Sequence, residues 1–141
     1  MTESFDVRSV EETWEVARGF AASLRPGDIV CLEGDLGAGK TTFVQGLAAA
    51  LGTAGRVASP TFCLVTEHPP KGAGPMLVHM DLYRLRNEED VLSIGWDDYI
   101  GRGAVLAVEW PDRAGSLVPR DAKRVCISSG EGESRRIEIR R

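Results

Sequence analysis

The sequence predicts an α/β fold, with helices packed around a mixed sheet. Three observations carry that expectation. Short apolar runs alternate with segments of helical periodicity along the chain. Two pairs of β-forming runs are joined through glycine- or proline-rich turns, at residues 69–75 and 130–132, which is the pattern of hairpins. A glycine-rich stretch, residues 34–39, links a buried strand to a helix. Elements of this kind pack in layers. The expected architecture is a three-layer sandwich with a mixed central sheet that includes an antiparallel hairpin and a C-terminal hairpin.

The elements follow in order. Ser9-Val10-Glu11-Glu12 has the spacing of a capping box. Val10, Trp14, Ala17, Ala21 and Leu24 then recur as the apolar stripe of a helix, which Pro26-Gly27 ends. Ile29-Val30-Cys31-Leu32 is a buried strand within residues 28–33. A second helix begins at Lys40, with Phe43, Val44, Leu47, Ala48 and Leu51 on one face. Gly52 stands just past its end, where a left-handed backbone favours glycine. Residues 61–67 and 76–82 are rich in β-formers and read as an antiparallel pair. Asn87 caps a short helix whose first turn, Glu88-Glu89-Asp90, is acidic and suits the helix dipole. Residues 96–100 form another helical turn, and residues 104–109 a third buried strand, stopped by Pro111. Residues 123–128 and 134–140 alternate in polarity, as a half-buried terminal hairpin does. Residues 1–8 are polar and acidic, without the charged-then-apolar order of a signal peptide.

Composition narrows the function. With 141 residues, the chain is sized for one domain, 1–141. Hydrophobic residues make up 43% and charged residues 27%, which argues against a disordered or fibrous chain. No apolar run is long enough for a transmembrane helix, so no membrane role is expected. A net charge of −4 argues against a protein that grips nucleic acid through many phosphates alone. Cys31, Cys63 and Cys126 are odd in number and lack C-x-x-C spacing, which speaks against disulfides and a zinc ribbon. Each lies in an apolar stretch and is expected to be a small buried hydrophobe, reduced, in a cytoplasmic protein. His68 and His79 share no metal-like spacing with the cysteines and read as core or surface residues.

One motif carries chemistry. Gly34-Asp35-Leu36-Gly37-Ala38-Gly39-Lys40-Thr41 matches the phosphate loop G-x-x-x-x-G-K-[ST] in full. Composition alone would give such an octet in roughly 0.5% of chains of this length. Wrapping phosphates in backbone N–H groups needs unusual φ angles and no obstructing side chains, hence the glycines. The helix that follows aims its N-terminal N–H groups and dipole at the anion. Lys40 brings a compact charge to the β- and γ-phosphates, and the Thr41 hydroxyl is a hard ligand for Mg²⁺. Such a loop needs an acid at the end of another strand. Asp81 and Glu109 each close an apolar run, and the pattern does not rank them. No [NT]-K-x-D follows, so nothing argues for guanine and adenine is the default. Arg84 and Arg86 follow Asp81, and are either solvated, aimed at γ-phosphate charge, or placed to grip a second substrate. Trp110 is either a stacking residue or a core anchor.

These residues resemble the TsaE (YjeE) family over nearly the whole chain. The resemblance rests on the phosphate loop with Thr42, on Ser59-Pro60-Thr61-Phe62, on His79-Met80-Asp81-Leu82-Tyr83-Arg84-Leu85, and on Val108-Glu109-Trp110-Pro111, in that order. It implies a P-loop NTPase-like fold and an ATPase of bacterial tRNA threonylcarbamoyladenosine modification. That protein binds the TsaB–TsaD transferase heterodimer and resets it for further turnover, meeting tRNA only through the complex. The resemblance also implies site roles. Thr41 and Glu109 would hold Mg²⁺. Asp35, Leu36, Gly37, Ala38, Gly39, Lys40, Thr41 and Thr42 would bind the phosphates of ATP. Lys40 and Asp81 would be catalytic, with Asp81 orienting the attacking water. Thr61 would lie in a switch-like loop, Trp110 beside the nucleotide, and Thr13 and Gly132 near adenine.

Two other readings compete. A small-metabolite kinase would use the same loop but needs a lid with arginines and an acceptor pocket, and 141 residues leave little room for both. Arg84, Arg86 and Arg113 are its lid candidates. A nucleotide-binding adaptor without turnover is the third. The protein is expected to be monomeric when alone.

Overall fold

The computed structural model describes residues 2–35, 39–53 and 65–141. The predicted strand start at residues 61–64 lies outside them. The elements in chain order are β1 (Thr2–Val7), α1 (Val10–Ala21), β2 (Ile29–Gly34), α2 (Lys40–Ala50), β3 (Val65–His68), β4 (Leu77–Asp81), α3 (Glu88–Ser93), α4 (Trp96–Gly101), β5 (Val105–Glu109), a 3₁₀ segment (Pro111–Leu117), β6 (Lys123–Ser129) and β7 (Arg135–Arg140). All seven strands form one sheet in the order β1-β7-β6-β2-β5-β4-β3. Its centre is parallel, β6-β2-β5-β4, and antiparallel pairs flank it: β3 with β4, β6 with β7, and β1 with β7.

Alternation along the strands splits the core in two. Val30, Leu32, Val105, Ala107, Val125, Ile127, Ile137 and Ile139 face α1 and α2, where they meet Ala17, Phe20, Phe43, Val44 and Leu47. Ile29, Cys31, Val78, Met80, Leu106 and Val108 face the other way, toward Val91, Trp96 and Ala114 of α3, α4 and the 3₁₀ segment. The three layers and the mixed sheet with both hairpins are as the sequence predicts.

Three details differ from the sequence reading. Residues 2–7 form β1, an edge strand in antiparallel register with β7, Thr2 opposite Arg140. Only Val7 of this strand is fully buried, so its period-two signal is weak. The inward face of α1 is rotated. Val10 and Trp14 are 45% and 42% exposed, while Thr13, Ala17, Phe20 and Ala21 are buried. Half of the capping box forms: the Ser9 hydroxyl accepts from the Glu12 N–H, whereas the Glu12 carboxylate accepts from the N–H of Arg8, the residue before the cap. Cys126 is exposed, against the expectation of a buried thiol. It lies on the face of β6 opposite the α1–α2 layer, and α3 and α4 cover only the β2-β5-β4 part of that face. Cys31 is buried as expected, and burial pushes its thiol up to about 11. Cys63 lies outside the described residues.

Candidate functional site

Two glycines shape the junction of β2 and α2. Gly34 has φ +148°, and a Cβ there would stand 2.2 Å from the Ile127 carbonyl oxygen of β6. Only glycine lets the two strands approach at that point. Gly39 has φ +107° and is the N-cap of α2. It has no side chain to cap the helix, so the cap residue itself leaves the first N–H groups of α2 without a side-chain cap. An uncapped N-terminus with its positive dipole end is suited to an anion. Lys40, Thr41 and Thr42 form the first turn of this helix and are partly buried. Asp35 is described and exposed, whereas Leu36, Gly37 and Ala38 lie outside the described residues, as does Thr61.

The parallel pairing of β4 and β5 sets Asp81 directly opposite Glu109. The two acids left unranked by sequence are neighbours at the C-terminal ends of adjacent strands. The Leu82 N–H donates to the Glu109 carbonyl at 3.1 Å and extends the ladder past them. The Glu109 carboxylate is nearly buried and has two distinct partners. Its Oε1 lies 3.4 Å from Lys40 Nζ, and its Oε2 lies 2.7 Å from Nε2 of the fully buried His79. Lys40 Nζ also donates to the Gly34 carbonyl at 3.0 Å. Burial raises the Glu109 carboxyl, but the hydrogen bond from His79 and then the Lys40 ammonium outweigh it, so the group sits below the usual carboxylate range. Asp81 Oδ1 accepts from the Tyr83 N–H at 3.0 Å, which turns the chain just after β4.

Beside Lys40 opens a cavity of 350 Å³ lined by Leu32, Glu33, Gly34, Trp110, Asp112 and Arg124 among others. Trp110 enters it on a strained backbone, φ +58°, the one non-glycine residue with positive φ among the described residues. Its ring lies 4.9 Å from that of Tyr83 and 5.9 Å from Lys40 Nζ, within reach of a cation–π contact. Arg124 pairs with Glu33 at 2.9 Å. Lys40, Glu109, Asp81 and Trp110 are thus gathered at one end of the sheet. Thr13 and Gly132 are not among the described residues lining the cavity. Thr13 is buried on α1, its hydroxyl donating to the Ser9 carbonyl, and Gly132 lies in the β6–β7 turn at φ +61°. Arg86 pairs with Asp90 at 3.3 Å, and Arg84 is exposed with no ion pair among the described residues. His79 is the site residue that the sequence reading passed over. Its signal was its place two residues before Asp81 on the same strand face.

Fold and site define the class first. This is an open α/β protein whose strand–glycine loop–helix unit presents a lysine to Glu109, one of two neighbouring strand-end acids. The family then follows from comparison. The model of the family described as threonylcarbamoyl adenosine biosynthesis protein TsaE matches residues 7–137. The tRNA threonylcarbamoyladenosine biosynthesis protein TsaE of Bacillus subtilis (strain 168) is 40% identical over 127 residues, 90% of this chain and 78% of that one. The protein of the same name from Streptomyces coelicolor is 41% identical over 120 residues, 85% of this chain and 81% of its own. The crystal structure of YdiB, also from Bacillus subtilis, superposes with a TM-score of 0.79 at 33% identity, over 99% of this chain and 84% of that chain. The chain belongs to the TsaE family.

Proposed function

We propose that this protein is a Mg²⁺-dependent ATPase of tRNA threonylcarbamoyladenosine biosynthesis that acts in the cytoplasm on a TsaB–TsaD transferase dimer. The observation that carries this reading is the register placing Asp81 beside Glu109, with Lys40 bridging Glu109 to the end of β2. The donor set fits Mg²⁺, which binds through one or two carboxylates and completes its shell with waters and substrate phosphates. Thr41 and Glu109 would hold the ion. The ion would supply positive charge to offset that of the nucleotide phosphates. Lys40 exchanges its Gly34 and Glu109 contacts for phosphate oxygens, and the N-terminal amides of α2 hold the same phosphates. Asp81, the more open of the two acids, orients the attacking water and receives its proton. Trp110 walls the cavity beside Lys40. Of the lid candidates of the kinase alternative, Arg86 is exposed and pairs with Asp90 on the surface.

Calorimetry with ATP and Mg²⁺ tests the assignment. Lys40→Ala removes a charge from the phosphates and is expected to lower ATP affinity at least about tenfold in a protein that still melts cooperatively. Unchanged affinity in a folded Lys40→Ala protein would overturn the reading. The acids separate by role: Glu109→Gln raises the Mg²⁺ requirement, whereas Asp81→Asn keeps nucleotide and loses turnover. Two silent variants would end the model.

A further inference from the structure

We infer that His79 is a positioning residue that ties down one oxygen of the Glu109 carboxylate and so fixes which oxygen faces the nucleotide side. This rests on the proposal that Glu109 holds a divalent cation. An ionised carboxylate only accepts hydrogen bonds. The 2.7 Å contact therefore requires His79 Nε2 to carry the hydrogen and donate it to Oε2. The buried Nδ1 has no partner among the described residues, so nothing there draws the hydrogen to the other nitrogen. The contact is shielded: the His79 side chain is fully buried and that of Glu109 is 10% exposed.

The other oxygen faces differently. Oε1 looks toward Lys40, and Lys40 lines the cavity. The last torsion of a glutamate is broad and two-fold, so a free carboxylate would exchange its oxygens readily. His79 removes that freedom from inside the sheet. It sits on β4 opposite Ala107, one strand-face step before the Asp81–Glu109 pair, and reaches across to Glu109 on β5. Partners of this kind behind a metal-binding carboxylate typically matter by about 10–100-fold in metal affinity.

Two variants separate the donor from the volume. His79→Gln retains an N–H near the position of Nε2, and His79→Met fills the space without a donor. Mn²⁺ titrated into the ADP complex and followed by electron paramagnetic resonance reads the metal directly. His79→Met is expected to weaken Mn²⁺ binding about 10–100-fold, with metal-free ADP affinity unchanged. His79→Gln is expected to recover most of that loss. Nitrogen NMR of the wild-type imidazole is expected to find the Nε2–H form. A folded His79→Met protein that holds Mn²⁺ as tightly as wild type overturns the positioning role and leaves the metal reading intact. Equal losses in the Met and Gln variants also overturn it, because the donor then does not matter. If the wild-type complex takes no Mn²⁺, the metal reading fails by itself, and an Nε2 of His79 found without a hydrogen overturns the positioning role independently.

Discussion

Trp110 occupies a left-handed backbone that costs a non-glycine residue about 1–2 kcal/mol. The chain carries this strain where β5 ends, and the ring it presents is 41% exposed against Tyr83 and near Lys40. Exposure argues that the ring is not kept for the core, and on the proposed reading it is kept for what it touches on the nucleotide side. Two variants divide strain from contact. Trp110→Ala loses the ring and keeps the strain; Trp110→Gly loses both. The glycine variant is therefore expected to be more stable than the alanine variant by about 1 kcal/mol in urea melts, with both weakened in nucleotide binding. Equal stability would mean that the backbone is not strained in solution. At this scale much of the site was legible. Lys40, Thr41, Asp81, Glu109 and Trp110 each stood out by motif or by closing an apolar run. The pairing of Asp81 with Glu109 was not, because it depends on strand register across 27 intervening residues. His79 was hidden for a related reason: its partner is a carboxylate on the next strand, and spacing along one strand says nothing of it.

Gly34 decides how two elements meet. The strands β2 and β6 run parallel with Gly34 opposite Ile127, and the Ile127 carbonyl already fills the place of a Cβ. The obstacle is backbone, so it cannot rotate away. Gly34→Ala is expected to destabilise the fold by about 3 kcal/mol or more, in the range where overpacking and a disallowed φ combine. Chemical denaturation checks this, and a loss below about 1 kcal/mol would mean that β6 yields easily. Gly46 plays the corresponding part between helices: a Cβ there would meet Ala17 Cβ at 2.7 Å, so α1 and α2 pack backbone-close. Most elements were legible because their apolar runs and stop signals are strong. The face of α1 was misjudged because Trp14, the largest apolar residue in the stripe, lies over Gly46 at the rim of the α1–α2 contact with 42% of its surface exposed. Strand β1 was missed because an edge strand needs few buried residues. The hairpin pairs were legible, but the order of the parallel strands was not, since parallel pairs join segments that share no turn.

A transferring γ-phosphoryl group spreads negative charge over its oxygens, and an arginine that meets this charge typically supplies about 10³–10⁵ in rate. On the proposed reading, Lys40 and Mg²⁺ meet part of it. The two arginines that follow Asp81 and the one that lines the cavity are poorly disposed to supply the rest. Arg84 is exposed, Arg86 is held by Asp90, and Arg124 lines the cavity but is engaged by Glu33. Lys40 itself rests on Glu109 and the Gly34 carbonyl. A net charge of −4 suits a protein that meets other proteins more than one that grips tRNA directly. The isolated protein is therefore expected to hydrolyse ATP slowly, far below a typical enzyme rate of about 10 s⁻¹, and to speed up when the TsaB–TsaD dimer is added. Phosphate release with and without the dimer measures this, and Arg84→Ala and Arg124→Ala test the rival. If the protein alone already turns over near that typical rate, and either substitution abolishes it while nucleotide still binds, the arginine acts in cis and activation by the partner is wrong. If both variants keep the slow basal rate and still respond to the dimer, the missing charge or the ordering of the site comes from the partner's side of the interface.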